Sequence, residues 1–266
     1  MKGISVSSLT AGYGGRTILR DISGVLPAGA VTFILGPNGS GKSTLLRTLG
    51  GALPFRGRIR FSDRDAASLS PRERGRLVGV VTQSPSLNFP FTVEDVITMG
   101  RLPHRSFLKR DEGGRKAVSM ASREMELEEL RDRPLPSLSG GERQRTMIAQ
   151  VIAQEPEIFL LDEPSSALDP NHALKLFRFL ERMAAEGKTV AASAHDINLA
   201  AEFGSFVWIM KEGRLAAAGK TGDVLKGDVL SSVYGSTFVP YRREWTDFSG
   251  TPPACNGGEK ILWRAV

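Results

Sequence analysis

Gly36-Pro37-Asn38-Gly39-Ser40-Gly41-Lys42-Ser43-Thr44 follows directly on the apolar run Val31 to Leu35. The spacing is G-x-x-x-x-G-K-S, placed between a strand pattern and the start of a helical one. Glycines at 36, 39 and 41 let the backbone wrap closely around phosphate groups. Lys42 can reach the β- and γ-phosphates, and the Ser43 hydroxyl can ligate Mg²⁺. The helix beginning near Thr44 turns the positive end of its dipole toward the same anions. A strand, a phosphate loop and a helix in that order predict an α/β fold built on a parallel sheet.

Working outward, two further segments match this loop. Residues 158–161 form an apolar strand run that ends on two carboxylates, Asp162 and Glu163. At a strand tip, Asp162 would hold the metal ion and Glu163, one step on, would polarise an attacking water. Ser139-Gly140-Gly141-Glu142 is a helix capping box, S-x-x-E. Capping does not need two glycines in that interval. They leave N–H groups bare at a helix start, which is an anion site.

Continuous apolar runs at residues 31–35, 78–82, 158–161 and 189–193 read as buried strands of a sheet covered on both faces. Strand-like stretches at 4–9 and 18–26 precede the phosphate loop. Ser70-Pro71-Arg72-Glu73 is a second capping box with proline at the first helical position. From Ser84 to about Arg133 the character changes to prolines and a charged helical stretch, which predicts a helical insertion over about residues 84–150. Two short strands are expected at 206–210 and 214–218. The pattern gives one domain over 1–245 and a short, loosely ordered tail over 246–266.

With 266 residues and 41% hydrophobic content, the chain can bury a large core. Its apolar runs all fall short of the roughly 18–20 residues of a spanning helix. The alternating start Met1 to Val6 lacks the apolar stretch of a secretory signal. One cysteine, Cys255, excludes an internal disulfide framework. These features predict a cytoplasmic protein. The net charge of +6 admits a solvated basic surface, proximity to an anionic membrane, or nucleic acid, in that order. The arginines between 56 and 76 are interrupted by acidic residues and lack an aromatic ladder, so no nucleic-acid partner is expected.

Together these motifs resemble the ATP-binding cassette (ABC) ATPases over roughly residues 3–240. Gly36 to Thr44 is similar to the Walker A motif, Leu138 to Glu142 to the ABC signature and Ile158 to Glu163 to Walker B. Gln83 resembles the Q-loop glutamine, Ser166 to Asp169 the D-loop and His195 the switch histidine. Tyr13 resembles the aromatic that stacks on adenine. The resemblance implies an ABC ATPase core with a parallel sheet, an N-terminal antiparallel β-subdomain and an inserted α-helical subdomain.

It also implies a function. The cofactors are ATP and Mg²⁺, with the metal held by Ser43, Gln83 and Asp162. Glu163, His195 and Gln83 are the catalytic group, and Ser139, Gly140 and Gly141 bind the nucleotide of a second copy in a head-to-tail homodimer. The segment Thr92 to His104 and the stretch His195 to Ala200 resemble the ATPases of bacterial iron–siderophore, haem and cobalamin importers. By that resemblance residues 84–104 dock an integral-membrane permease served by a substrate-binding protein, with this chain peripheral on the inner face of the membrane. A soluble ABC ATPase of DNA repair or translation, and an exporter ATPase, are the alternatives. His104 and His172 are expected to be structural.

Overall fold

The computed structural model describes residues 3–82, 90–105, 111–241 and 261–266. β1 (Ile4–Tyr13) and β2 (Arg16–Leu26) form an antiparallel hairpin across Gly14 and Gly15. Both glycines have positive φ, 52° and 81°. A two-residue hairpin turn needs that conformation, and glycine adopts it without a Cβ clash. β3 (Ala30–Leu35) is buried along its length, and α1 (Lys42–Leu49) follows the phosphate loop. β4 (Phe55–Phe61) and β5 (Arg64–Asp65) complete an N-terminal antiparallel sheet of order β2-β1-β4-β5.

α2 (Pro71–Leu77) starts at the expected capping box, with Ser70 and Glu73 exchanging both hydrogen bonds. It leads into β6 (Val78–Val81). Then come α3 (Val93–Met99), α4 (Gly114–Glu124) and α5 (Gly140–Ala153), which pack on one another before the sheet resumes. β7 (Ile158–Leu161), α6 (Pro170–Ala185), β8 (Thr189–Ser193), α7 (Ile197–Phe203), β9 (Phe206–Lys211) and β10 (Arg214–Lys220) follow. The central sheet has the order β10-β9-β3-β8-β7-β6, parallel from β9 to β6 with β10 antiparallel at its edge. α8 (Thr221–Val224), α9 (Gly227–Tyr234), β11 (Phe238–Tyr241) and β12 (Leu262–Ala265) close the described chain.

The two-residue period of the strands divides the core in two. Phe33, Leu35, Phe159, Leu161, Val190, Ala192, Val207 and Ile209 face one hydrophobic cluster with the helices α5, α6 and α7. Ile34, Ile158, Leu160, Ala191, Trp208 and Met210 face the other, shared with α1 and the N-terminal sheet. Successive strand side chains point to opposite faces, so a continuous apolar run is what a sheet covered on both sides requires. Each fully buried Leu, Ile or Phe contributes about 1.5–3 kcal/mol relative to exposure.

The helical segment is tied internally by Arg101, which is 4% exposed. Its guanidinium makes a two-point pair with Asp111 (2.8 and 2.9 Å) and also reaches Ala153 O and Glu155. His104 bonds Gln154 O at 2.8 Å, and His172 bonds the Asp169 carboxylate at 2.6 Å, both as structural contacts.

Residues 262–265 differ from the expected loose tail. They pair with β11, and Leu262 is buried. The Trp263 amide donates to Asn198 Oδ1 (2.8 Å), and Asn198 Nδ2 donates to Trp263 O (3.1 Å). That partner lies 65 residues upstream, which a local reading of composition does not reveal.

Candidate nucleotide site

The phosphate loop leaves the sheet where β3 ends. Gly36, Gly39 and Gly41 have φ of 142°, 77° and 105°. At Gly36 the lack of a side chain is obligatory, because a Cβ there would stand 2.2 Å from Met210 O. Lys42, 5% exposed, fills the loop and donates to Gly36 O (2.8 Å) and Pro37 O (3.2 Å). Burial pulls its ammonium below the usual lysine value, against the attraction of Glu163 and Asp162. Pro37, Asn38, Ser40 and Thr44 complete the loop and the first turn of α1.

Beneath the loop, three strand ends converge. Ser43 Oγ donates to Asp162 Oδ1 at 3.0 Å. Ser193, at the end of β8, donates to the same oxygen at 2.7 Å. Asp162 is 2% exposed, and its Oδ2 is buried with no hydrogen-bond partner among the described residues. Glu163 has a left-handed backbone, φ 49°, an uncommon state for a residue with a Cβ. Ser193 Oγ accepts its N–H at 2.9 Å, so one hydroxyl holds both acidic residues. His195 Nε2 lies 2.5 Å from Glu163 Oε1. A carboxylate only accepts, so this geometry places the ring proton on Nε2.

The structure thus joins Ser43, Asp162, Glu163 and His195 into one hydrogen-bonded group through Ser193, with the Lys42 ammonium attracted by Glu163 and Asp162. Ser139, Gly140 and Gly141 open α5 and are not members of that hydrogen-bonded group. Ser139 and Glu142 make the capping box of α5, and hydrogen bonds from the Ser139 hydroxyl and amide hold the Glu142 carboxyl below its ordinary value. A Cβ built on Gly141 would stand 3.0 Å from Ala167 O, so these glycines lie against the turn before α6. Tyr13 ends β1, is 42% exposed, and accepts a 3.4 Å bond from Arg47. Gln83 lies outside the described residues.

Sequence reasoning missed Ser193 and Tyr234. The Gly36 N–H donates to the Tyr234 hydroxyl at 2.9 Å across 198 residues. A single hydroxyl in a strand or helix carries no spacing signature, so neither has a local signal.

Along residues 90–105, Thr92 caps α3 in a two-way bond with Asp95. Phe91, Asp95, Thr98, Met99, Leu102 and Arg105 line an open cavity of about 310 Å³. Leu102 is 59% exposed there.

Residues 19–166 match the sequence profile of the family described as ABC transporter. The chain belongs to that family. As an ABC protein it binds ATP, and its activity is the ATP hydrolysis that drives transport. It is 40% identical over 227 residues to the hemin import ATP-binding protein HmuV of Thermobifida fusca (strain YX), covering 85% of this chain and 80% of that one. It is 33% identical over 237 residues to the iron(3+)-hydroxamate import ATP-binding protein FhuC of Bacillus subtilis (strain 168), covering 88% of each. Among solved structures it resembles a chain of an ABC transporter described as metal-chelate type, captured inward-facing. The TM-score is 0.79 at 26% identity, over 100% of this chain and 97% of that one. A dimeric bacterial ABC cassette, MJ0796, gives a TM-score of 0.73 at 28% identity, over 82% and 98%. The expected fold class, with its parallel ABC ATPase core, agrees with both. Among the described residues, no helix is long and apolar enough to cross a membrane.

Proposed function

We propose that this ABC protein is the ATP-hydrolysing subunit of an importer for a metal chelate of the haem, iron–siderophore or cobalamin type. The observation that supports the chemistry best is the hydrogen-bonded group Ser43–Asp162–Ser193–Glu163–His195 beneath the phosphate loop. The hemin and iron-hydroxamate relatives support the class of cargo.

In this reading the loop amides of residues 36–44 and Lys42 receive the phosphates, and Tyr13 meets the adenine. The residues suit Mg²⁺, which prefers hard oxygen ligands: Ser43 Oγ and a buried carboxylate with one unsatisfied oxygen stand together. Ser43, Asp162 and, outside the described residues, Gln83 would hold the ion. When bound, it neutralises charge on the phosphate oxygens. Glu163 takes the proton of the attacking water as general base. His195 fixes the carboxylate that does so, and Ser193 holds the left-handed backbone that aims it. In-line attack on the γ-phosphate then depends on positioning more than on covalent chemistry.

Ser139, Gly140 and Gly141 form the start of α5, a 14-residue helix, beside the turn at Ala167. They serve the nucleotide held by a second copy, so closure with ATP and opening after hydrolysis is a ligand-driven population shift. Residues 84–104 meet the permease, with Phe91, Met99 and Leu102 offering the apolar part of that surface. We take residues 84–150 as the inserted helical subdomain and place the chain peripherally on the inner face of the membrane. A substrate-binding protein acts further upstream. The test is co-purification of the tagged chain from membranes, with partners identified by mass spectrometry. A polytopic permease and a metal-chelate binding protein are expected. Recovery of ribosomes or DNA-repair factors without a permease would overturn the transport role.

A further inference from the structure

The C-terminal elements reach back into the nucleotide site. β3 pairs with β9 as far as Leu35 opposite Ile209, and the next residue, Gly36, leaves the sheet. Its N–H is therefore the first donor beyond the ladder, and the Tyr234 hydroxyl accepts it at 2.9 Å. The carbonyl of the same residue accepts the Lys42 ammonium at 2.8 Å. One residue, Gly36, thus connects a phenol on the last turn of α9 to the lysine of the phosphate loop. A buried N–H must find an acceptor, and the conformation that satisfies it here is the one that aims the carbonyl at Lys42.

The phenol is itself held in place. Its ring packs on Phe238 at 5.6 Å between centroids. Lys211, at the end of β9, donates to Ser232 O at 2.7 Å and ties the last turn of α9 to the sheet. On the far side, β11 pairs with β12, and Trp263 of β12 makes its two bonds with Asn198 of α7, three residues beyond His195. The Tyr234-bearing unit is anchored to both the phosphate-loop strand and the helix that follows the histidine.

We propose that Tyr234 is a positioning residue of the nucleotide site, its hydroxyl setting Gly36 so that the loop and Lys42 are shaped for the ATP phosphates. The inference rests on the assignment of residues 36–44 as the phosphate loop of ATP. Tyr234→Phe removes one oxygen and leaves the ring. Loss of one hydrogen bond that shapes binding raises KM for ATP about 3- to 10-fold and leaves kcat within about twofold.

The experiment measures ATPase kinetics and thermal unfolding of full-length Tyr234→Phe, Val233→Ala and Lys42→Ala. Val233 is a buried neighbour on the same helix and loosens α9 without touching the hydroxyl. The inference expects a raised KM in Tyr234→Phe, and a lowered melting temperature with unchanged KM in Val233→Ala. A Tyr234→Phe protein with reduced melting temperature but unchanged KM, or one that loses kcat alone, overturns it. Lys42→Ala that still binds and turns over ATP defeats the phosphate-loop assignment itself, a different failure. Should Tyr234→Phe be insoluble, 3-fluorotyrosine at 234 keeps the ring and weakens the oxygen as acceptor. It must still raise KM, and an unchanged KM overturns the inference equally.

Discussion

Ser193→Ala removes a hydroxyl that touches both acidic residues of the site. It donates to the buried Asp162 carboxylate at 2.7 Å and accepts the Glu163 N–H at 2.9 Å. Ser193 is fully buried, so water does not replace it freely. A hydrogen bond to a charged acceptor contributes about 1.5–3 kcal/mol and a neutral one about 0.5–1.5. Together the loss is roughly 2–4 kcal/mol, or a fall in melting temperature of roughly 5–15 °C for a chain of this size. Turnover falls as well. Glu163 sits at φ 49°, and the left-handed state costs a residue with a Cβ about 1–2 kcal/mol. Without the hydroxyl holding its N–H, the segment relaxes and the carboxylate leaves its aim, which lowers kcat about 5- to 30-fold. Urea unfolding and steady-state phosphate release measure the two effects on one preparation. A Ser193→Ala protein within about 0.5 kcal/mol of the parent and with unchanged kcat would show that this hydroxyl does not hold the site.

Four further substitutions test the packing. Gly36→Ala places a methyl against Met210 O at a φ of 142°, so nucleotide binding by calorimetry should be lost and the melting temperature lowered. Leu160→Ala empties a fully buried position on β7 and should cost about 2–5 kcal/mol in chemical unfolding, with a smaller effect on KM than on stability. The Arg101 guanidinium holds the Asp111 carboxyl below its ordinary value, chiefly by hydrogen bonding. Because the folded value is the lower one, this stabilisation is complete above about pH 4, the unfolded aspartate value, and fades as pH falls through the depressed value. Asp111→Asn should therefore flatten the acid limb of stability against pH, while Arg101→Ala, which removes the buried guanidinium from a partly exposed Asp111, should cost about 1.5–3 kcal/mol at neutral pH.

The glycine-rich loop between β3 and α1 was legible because its signature is local. Three glycines, a lysine and a serine at fixed spacing, framed by an apolar strand and a helix, admit few other uses. The central sheet was legible for a related reason, since strands covered on both faces must be apolar at every position, as β3 and β7 are. The capping boxes at Ser70, Thr92 and Ser139 carry their own signature within four residues. What escaped the sequence is what depends on distant partners. Ser193 reads as one more small strand residue until Asp162 and Glu163 are set beside it. Tyr234 reads as the end of a short helix until β3 is seen to release the Gly36 N–H next to it. Residues 262–265 are only four long and follow the Pro252-Pro253 and Gly257-Gly258 stretch, which reads as loop, and their pairing is fixed by β11 and Asn198. The left-handed turn at Glu163 is likewise invisible, because glutamate gives no hint of positive φ.

The central claim is that Glu163 carries the hydrolytic step and the phosphate loop carries ATP. The most direct measurement is γ-phosphate release by Glu163→Gln at ATP concentrations where calorimetry on the same sample shows the nucleotide bound. The amide keeps the size and hydrogen-bonding reach of the side chain but cannot take a proton. The account predicts ATP affinity close to that of the parent and phosphate release reduced by about 10²–10⁴. Release at the parental rate with ATP bound would contradict it and place the base elsewhere.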